Sequence, residues 1–585
     1  MDQYTNKYHP DFVPGTYNIY SSLNLENGVL YKSKLKKQGD LILIPQPSDS
    51  PNDPLNWSKT RKYLHFAIMA FITAFTAATS NDAGSTQDSL NEVYGISYDA
   101  MNTGAGVLFL GIGYGTLFLA PFSYLYGRKL PYIISIGLGL IGAIWFGFSK
   151  STSDTIWSQL FVGISESCAE AAVQLSLTDI YFQHQLGSVL TGYILSTSVG
   201  TYLSPLIGNY IANRTTFRWV GWIGAIVSGV LLLVLFFATE ETFFERNRYV
   251  TPLSSKQSIN GLDNGTTLNS SEHSGDNNDL VEEHDLVEEH DSADEKTVDG
   301  DEKKTTVITR SQKDPEATEE LIDGSKEKMN SYWKRVALIT PASNLKGWGF
   351  KQYWKHIVIN LKMFCFPGII LSGCFWGMQN AFLSFYLTTE DTFFYDPPYN
   401  YSNAGVAMMN VPCLIGAVIG CVYAGTISDY IVLWMARRNN GVVEAEFRLY
   451  FISLTAIFGS AGLLMFGIGA DRMLARPVMY IGLGFIGFAY GSAGDIALGY
   501  VMEASELVLE SMVCVAVINN TISCIFTFTC SLWLEASGTE NTYIALAVIN
   551  FGVSMLAIPM IIWGKDARRM TKKWYLEFLE VRDGI

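Results

Sequence analysis

Charged side chains are scarce in this sequence: Asp, Glu, Lys and Arg make up 16% of its 585 residues. Soluble domains carry about 25% charged residues, so this shortage argues against a soluble globular protein. The scarcity is also uneven, because residues 100–127, 130–149, 219–239 and 541–564 contain no charged side chain at all. A membrane-spanning helix needs ~20 mostly apolar residues, and each of these runs is long enough. The sequence therefore predicts a helical integral membrane protein.

Counting segments of this kind predicts twelve spans, arranged as six, a long polar stretch and six more. The predicted spans are residues 62–85, 99–125, 130–149, 154–180, 187–211, 217–239, 363–388, 403–428, 448–470, 477–503, 509–534 and 541–564. The expected fold is all-α, with two halves of six helices each.

The polar segments divide the chain into five parts. These are a tail (1–61), the first half (62–240), a loop (241–361), the second half (362–564) and a second tail (565–585). Basic residues precede the first span and follow the second, eighth and twelfth. Because cytosolic loops are enriched in Lys and Arg, both termini are expected in the cytosol. The sequons at Asn213 and Asn400 then fall on the outside, where either is a candidate for glycosylation.

The loop between the halves is strongly acidic. Residues 271–300 hold twelve acidic side chains and one lysine. A segment this polar buries too little apolar surface to fold alone, so we expect a disordered tether. Its end, "NLKGWGFKQYWKHIVINLKMF", spaces aromatic and basic residues as an interfacial helix does.

Metal-binding and catalytic patterns are also missing. The sequence has no Cys-x-x-Cys pair and no His-rich cluster, and its eight cysteines fall inside predicted spans, where they serve as packing residues. No Ser-His-Asp or Cys-His set falls on one side of the membrane, so we expect neither an enzyme nor a bound metal or cofactor. The glycine-rich stretches "GAGVLFLGIGYG" and "GLGFIGFAYGSAGD" predict close helix packing.

The spans also lack basic residues at depth, although four acids lie there: Asp82, Glu166, Glu170 and Asp495. An acid in lipid costs a few kcal/mol, so each is expected to face a cavity or a partner. With no basic partner in the spans, the counter-charge is expected from outside, as a proton, a metal cation or an organic ammonium. The alternative is that these acids are hydrogen-bonded structural groups.

Glu166 and Glu170 are four residues apart and therefore share a helix face. Two nearby carboxylates do not both ionise easily, so these two and Asp82 are the candidates for proton coupling.

Aromatic side chains provide cation–π contacts, and amides provide hydrogen bonds. The further candidates for substrate contact are Tyr114, Trp376, Tyr490, Gln379 and Asn519, with Phe75, Tyr193, Asn380 and Asn520 as additional members of the same groups. Arg128, Asp179, Asp429 and Glu503 lie at predicted cytosolic span ends, and we expect gating contacts between the halves there.

The stretch "LFLAPFSYLYGRKLPYI" (117–133) resembles the loop between spans two and three of the major facilitator superfamily. Gly127, Arg128 and Lys129 match that loop, whereas Tyr124 stands where the family has Asp. "SPNDPLNWS" (50–58) and "TEETFFERN" (239–247) are similar to its fungal drug:proton antiporter branch. The resemblance implies the major facilitator fold and transport by alternating access.

A narrower likeness lies in "ISESCAEAAVQLSLTDI" and "NNTISCIFTFTCSLWLEASGTENTYIALAVINFG", which resemble fungal plasma-membrane transporters of polyamines and histidinol. It implies a monomeric, proton-coupled importer of spermidine, putrescine, spermine and related organic cations. Two departures argue against a standard exporter: the branch's Gly-Pro and Gly-Gly pairs are Ser204-Pro205 and Gly208-Asn209 here, and its span-four Arg is Gln159. The alternatives are a multidrug or polyamine exporter, and a transporter-like nutrient sensor.

Overall fold

The structure is a computed structural model, and it describes residues 10–18, 36–38, 41–43, 45–249, 322–394, 397 and 399–584. The acidic segment 271–300, for which we predict a disordered tether, lies outside these residues.

The first half consists of six long helices. They are α1 (Lys59–Asn81), α2 (Tyr98–Leu125), α3 (Lys129–Gly147), α4 (Thr152–Ser167, continued to Ile180), α5 (Gln183–Arg214) and α6 (Arg218–Phe237). Hydroxyl side chains begin several of them, since Ser58 accepts from the Arg61 amide and Ser97 from the Ala100 amide. α4 winds as a π-helix over Cys168–Val173 before Gln174–Ile180 completes it.

The second half repeats this arrangement. Its helices begin with α7 (Pro367–Phe393), α8 (Asn410–Val422, continued through the π-helix Tyr423–Ile427 to Arg438), α9 (Ile452–Asp471) and α10 (Arg476–Ala504). The helical run Val508–Met555 breaks at Gly538, whose φ of 75° and ψ of 163° are not helical. The break separates α11 from α12, and Ala557–Gly584 continues α12.

Nine helical stretches in the described part of the chain are long and apolar enough to cross a membrane, and α7 joins them when it is taken with the bent helix before it. One of the nine, Val508–Arg582, contains both α11 and α12. α5 is not among the nine, and several of its hydroxyl and amide side chains face the cavity described below. The predicted all-α membrane fold is confirmed.

Glycines let helices approach closely within each half. A Cβ on Gly111 of α2 would collide with the Leu160 carbonyl of α4, and one on Gly163 of α4 would collide with the Leu108 carbonyl of α2. Gly487 of α10 faces a backbone carbonyl of α8 in the same way. Small residues at such crossings permit backbone contact between membrane helices. The glycine-rich stretches are packing surfaces, as predicted.

The first described residues of the chain and the continuation of α12 lie at one end of the bundle. A short antiparallel pair joins the first tail to the second half: β1 (Thr16–Asn18) pairs with β4 (Val442–Glu444). A second pair, β2 (Lys37–Gln38) with β3 (Leu41–Ile42), forms within the same tail. Arg568, in the continuation of α12, donates to the Pro14 carbonyl. We call this end of the bundle the terminal face and the opposite end the far face.

Two segments outside the predicted spans are ordered against the bundle, and the second is helical where an interfacial helix is predicted. Residues 10–18 cross to the second half through β1 and β4. Helix Phe350–Lys362 runs along the terminal face and meets α7 at an angle of 86°. Between the halves, α2 packs against α11 and α5 against α8.

Candidate functional site: a carboxylate-lined cavity between the halves

A cavity lies between the two halves and is lined by helices of both. It contains about 1420 Å³ of space that no atom fills, counting the part open to solvent. Its inner end is lined by Trp376 and Tyr490, and its outer end by Gln87, Leu90 and Val406 at the far face. The cavity therefore opens toward the far face, and its inner end lies near the middle of the bundle, where transporters of this architecture bind substrate.

Glu166 and Glu170 of α4 both line this cavity. Both side chains are half-buried, which their position on the cavity wall explains. Ser80 at the end of α1 faces Glu166, and Glu170 lies inside the π-helix of α4. π-helical turns are uncommon and occur often at functional sites. No ion pair involves either carboxylate within the described ranges, so their negative charge is not neutralised by the protein there.

A third carboxylate, that of Glu390, lines the cavity from the second half. The predicted seventh span, 363–388, ends too early, because α7 continues to Phe393 and carries Glu390 with only 2% of its surface exposed. The helix continues because nothing in "LTTEDTF" breaks it. None of the described residues that line the cavity is Lys, Arg or His.

Aromatic rings form the inner end of the cavity. The rings of Trp376 and Tyr490 lie 4.9 Å apart between centroids, and Tyr202 meets Tyr490 edge to face at 5.6 Å. Tyr193 is anchored by a hydrogen bond of 3.1 Å from its hydroxyl to the Ala169 carbonyl, beside Glu170. Electron-rich ring faces next to carboxylates form a suitable surface for an organic cation.

The predicted amide contacts separate into two groups. Asn380 and Asn520 line the cavity, and Asn380 Nδ2 donates to the side-chain oxygen of Asn519, Oδ1, at 2.7 Å. Asn519 lies behind this first layer and is fully buried. Gln379 points into the second half instead, where it donates to Asn550 at 2.8 Å. The sequence alone does not show which of these amides line the cavity, because this depends on how each helix is rotated about its axis in the folded bundle.

Two predicted aromatic contacts also lie away from the cavity. Tyr114 is 39% exposed and is not among the lining residues. Phe75 does not line it either, and its ring stacks on Phe71 at 6.3 Å.

The other two predicted acids do not line the cavity. Asp82 caps the end of α1, where its carbonyl accepts a hydrogen bond of 2.6 Å from Ser85, and its neighbours Asn81 and Ala83 do line the cavity. Asp495 of α10 is 2% exposed, and Oδ2 has no hydrogen-bond partner among the described residues. Arg448, which lies nearer the terminal face, acts on Asp495 electrostatically.

The predicted gating residues form two ion-pair clusters at the terminal face. Arg128 Nε lies 2.9 Å from Asp179 Oδ2 in the first half. In the second half, Arg448 Nη2 lies 2.7 Å from Asp429 Oδ1 and 2.6 Å from Glu503 Oε1. These pairs lie within each half, whereas the sequence analysis expects contacts between the halves. Each guanidinium points toward the acids of its own half because its ion pairs with them offset the cost of burying both charges.

Contacts between the halves close the terminal face nearby. Tyr124 of α2 donates a hydrogen bond of 3.3 Å to Glu510 of α11. Gly187 of α5 lies against the Asp429 carboxylate, leaving no room for a side chain. Tyr124 stands where the superfamily has an acid, and here it contacts the acid of the other half instead.

Glu241 organises the first cluster from the end of the first half. Its carboxylate accepts backbone hydrogen bonds from Arg128 and Lys129, at 2.9 Å and 3.1 Å, and so caps the start of α3. Burial raises the pKa of Glu241, although these amide donors and Arg128 favour its charged form. The motif "TEETFFERN" is therefore a structural element of the terminal face.

Two of the residues that depart from the antiporter pattern, Gln159 and Asn209, line the cavity, and Pro205 lines it next to the third, Ser204. The Gln159 side chain is 5% exposed, and its Oε1 has no hydrogen-bond partner among the described residues. A glutamine where exporters carry an arginine removes a positive charge from the wall of this cavity.

The sequence matches known transporters over its whole length. The profile of the Major Facilitator Superfamily matches residues 66–527. The chain is 62% identical to Protein HOL1 of Saccharomyces cerevisiae over 100% of both chains. It is 44% identical to an uncharacterized MFS-type transporter of Schizosaccharomyces pombe, over 98% of this chain and 95% of the other.

Among solved structures, the chain resembles the proton:xylose symporter XylE with a TM-score of 0.54. The match covers 86% of this chain and 97% of XylE, at 12% sequence identity, and it supports the fold alone. Together with the two six-helix halves and the cavity between them, these matches show that the chain is a multi-pass membrane transporter, not an enzyme, and belongs to the Major Facilitator Superfamily.

Proposed function

We propose that this protein imports polyamines and related organic cations across the plasma membrane, coupled to protons. The observation that carries the proposal is the charge of the cavity: Glu166, Glu170 and Glu390 line it, and no described lining residue is basic. A positively charged substrate supplies a counter-charge at Glu166 and Glu170. The narrower resemblance to fungal polyamine transporters supports the same substrate class.

The substrate ammonium groups pair with Glu170 and Glu166, while Trp376 and Tyr490 cover the alkyl segments between charges. Cation–π contacts of this kind contribute ~1–2 kcal/mol each when water is excluded. Asp82 and Asp495 join the pathway at its outer and inner ends. The halves then rock about the bound cation, the Tyr124–Glu510 contact breaks, and the cavity opens at the terminal face.

Import is the favoured direction for a cation. With both termini in the cytosol, the far face with its sequons at Asn213 and Asn400 is external, and the cavity receives substrate from outside. The membrane potential favours inward movement by ~2.3 kcal/mol per charge per 100 mV. One of Glu166, Glu170 and Asp82 takes up a proton from outside and releases it inside, which adds the proton gradient to the driving force.

The test is uptake of labelled spermidine into liposomes that contain the purified protein. An inside-negative potassium diffusion potential and an inward proton gradient are applied separately and then together. We expect saturable uptake that each gradient increases, and competition by putrescine and spermine. Expulsion of spermidine without uptake would favour the exporter, and absence of transport under every gradient would contradict the substrate assignment.

A further inference from the structure

Helix Phe350–Lys362, which we call the lateral helix, presents an exposed apolar stripe. Four apolar side chains that are three or four residues apart share one face of it: Phe350, Trp354, Val358 and Leu361. They are between 47% and 72% exposed. The helix meets α7 at 86°, so it lies across the direction of the spans. An exposed apolar stripe in this orientation is typical of a helix that lies in the membrane interface.

A row of lysines borders this stripe. Lys351, Lys355 and Lys362 are exposed, and at 3.6 residues per turn they fall within about 40° of one another around the helix. Within the described ranges, none of the three forms an ion pair. The Lys362 ammonium lies 5.9 Å from the centroid of the Phe578 ring, which places this end of the row beside the continuation of α12 at the terminal face. The lateral helix therefore carries an apolar and a cationic stripe side by side.

The depth of the lateral helix is fixed by its contact with α2. The Tyr353 hydroxyl donates to the Phe118 carbonyl at 2.9 Å. Phe118 is seven residues, or ~10 Å, before the end of α2 at Leu125. Interfacial helices bury their apolar face about 5–10 Å into the boundary between headgroups and acyl chains, so this depth suits an interfacial position.

The buried face of the lateral helix joins the two halves. On the first half, the His356 ring stacks on Tyr124 of α2, with centroids 5.3 Å apart. On the second half, the Cys514 thiol of α11 donates to the Asn360 carbonyl at 2.7 Å. Tyr124 also bonds to Glu510 of α11 across the closed terminal face. Because opening of that face separates the adjacent ends of α2 and α11, the lateral helix cannot keep both contacts when it opens.

We propose that the lateral helix docks on the membrane leaflet at the terminal face, where Lys351, Lys355 and Lys362 bind the headgroups of anionic phospholipids. The apolar stripe enters the acyl boundary and holds the helix in the membrane plane. A helix held in this way keeps Tyr124 against Glu510, so anionic lipid favours the state that is closed at the terminal face. With the termini in the cytosol, as proposed above, this leaflet is the one that carries anionic lipids. The inference concerns the membrane and does not depend on the substrate.

A different occupant for the lysines is the acidic segment of the chain itself, residues 271–300. Its twelve acidic side chains match the lysine row in charge, but they offer nothing to the apolar stripe beside it. A bilayer presents anionic headgroups and an apolar layer next to each other. The two adjacent stripes therefore favour the membrane as the partner.

The experiment uses the full-length protein in nanodiscs of phosphatidylcholine, either alone or with about one quarter phosphatidylserine as the anionic lipid. Spin labels on the terminal-face ends of α3 and α10 report the fraction of molecules that are open at this face. We expect phosphatidylserine to lower the open fraction several-fold in wild type and to leave it unchanged in the triple variant Lys351→Gln, Lys355→Gln, Lys362→Gln. Native mass spectrometry is expected to show less phosphatidylserine retained by the triple variant.

Two further variants serve as controls. Lys351→Arg, Lys355→Arg and Lys362→Arg together keep the charge and are expected to keep the wild-type response. The matched control combines three exposed lysines that precede the lateral helix, and it is expected to respond as wild type does: Lys326→Gln, Lys328→Gln and Lys334→Gln.

No response of the wild type to phosphatidylserine, or an equal response in the triple glutamine variant, would overturn the lipid site. Loss of the response in the matched control would also overturn it, because total charge and not the lateral helix would then be responsible. If the glutamine substitutions increase opening equally in both lipids, and only while residues 255–320 are present, the lysines bind the acidic segment instead of lipid.

Discussion

At the scale of single residues, the carboxylates of Glu166 and Glu170 determine the chemistry of the cavity. Both line its interior from α4, with Ser80 facing Glu166 and Tyr490 near both carboxylates. Removing a charge from water costs several kcal/mol unless a partner compensates it. Under the proposed function, a proton or a substrate ammonium balances this charge during part of the transport cycle.

The first prediction concerns Glu170. Glu170→Gln keeps the size of the side chain and removes its charge, so we expect spermidine uptake to fall at least tenfold and to lose its dependence on external pH. The reason is that a neutral amide neither pairs with an ammonium nor carries a proton. The measurement is initial uptake between pH 5 and pH 8, with Glu535→Gln as the control, because Glu535 is exposed on α11 and lies outside the cavity. Undiminished uptake that still varies with pH would remove Glu170 from the mechanism.

The second prediction concerns the ring of Trp376. Trp376→Ala removes a cation–π surface worth ~1–2 kcal/mol, so we expect the half-saturating spermidine concentration to rise about 5- to 30-fold. Trp376→Phe retains an aromatic face and is expected to lose much less. Trp434→Ala is the control, because that ring is 47% exposed outside the cavity and stacks with Arg438. Equal uptake by the Ala and Phe variants would contradict a role for the ring face.

Sequence reasoning finds some site residues and misses others for physical reasons. Glu166 and Glu170 stand out because they interrupt an apolar span. Glu390 is missed because it follows an uncharged run by one residue, and hydropathy does not show that α7 continues past it. The direction in which a side chain points depends on tertiary packing. The sequence alone therefore does not show that Trp376 and Asn380 line the cavity whereas Tyr114 and Gln379 do not.

At the scale of helices, small residues set how closely α2 and α4 pack, and this packing places Glu166 and Glu170. Gly111 and Gly163 each lie against a carbonyl of the opposite helix. In a bilayer there is no hydrophobic force between helices, so close van der Waals contact is a main source of association. The π-helix that follows in α4 adds a residue to the turn that carries Glu170.

The third prediction tests this packing. Gly163→Val forces α2 and α4 apart, because the added Cβ meets backbone that cannot rotate away, and we expect a destabilisation of about 1–3 kcal/mol with loss of uptake. Gly137→Val on α3 is the matched control, since a Cβ there meets no atom within 4 Å. The measurement is thermal unfolding of the two purified variants. Equal unfolding temperatures would show that the close approach of α2 and α4 does not determine the stability of the protein.

The π-helix of α4 is not visible in the sequence, whereas the break at Gly538 falls in the gap between the predicted spans 509–534 and 541–564. The residues of the π-helix are ordinary helix formers, and its altered winding depends on contacts with other helices. The span positions, in contrast, follow from hydrophobic runs that lipid requires whatever the partners are.

At the scale of the whole molecule, the structure is closed at the terminal face and open toward the far face. The tails contribute to this closure, because β1 reaches across to β4, and Arg568 joins the Glu446 carboxylate to the Pro14 carbonyl. A transporter of this type must break such contacts to open at the opposite end. The terminal-face contacts therefore set the balance between its two states.

The fourth prediction concerns the bond between the halves at the terminal face. Tyr124→Phe removes the hydroxyl that donates to Glu510, so we expect a larger fraction of molecules open at this face. A hydrogen bond to a charged group contributes about 1.5–3 kcal/mol, which is enough to change the population severalfold. The measurement is the distance between spin labels on the terminal-face ends of α3 and α10.

Tyr181→Phe is the control for this variant, because the Tyr181 hydroxyl bonds to the Lys62 carbonyl inside the first half. It is expected to leave the distance distribution unchanged. A distribution in Tyr124→Phe identical to that of wild type would contradict a gating role for the Tyr124–Glu510 contact.

The fifth prediction concerns the acidic loop and separates a transporter from a nutrient sensor. Deleting residues 255–320 removes the repeated "DLVEEH" segment and leaves every described helix intact. If the loop is only a tether, spermidine uptake is expected to stay within twofold of wild type. Uptake retained together with loss of a polyamine-dependent cellular response would assign signalling to the loop.

The most direct measurement is equilibrium binding of labelled spermidine to the purified protein, without any gradient. We predict saturable binding by the wild type that Glu166→Gln with Glu170→Gln abolishes, while Glu535→Gln retains it. Undiminished affinity in the double variant would show that spermidine binding does not depend on the charge of these two carboxylates. The assignment of a cationic substrate to this cavity would then lose its physical basis.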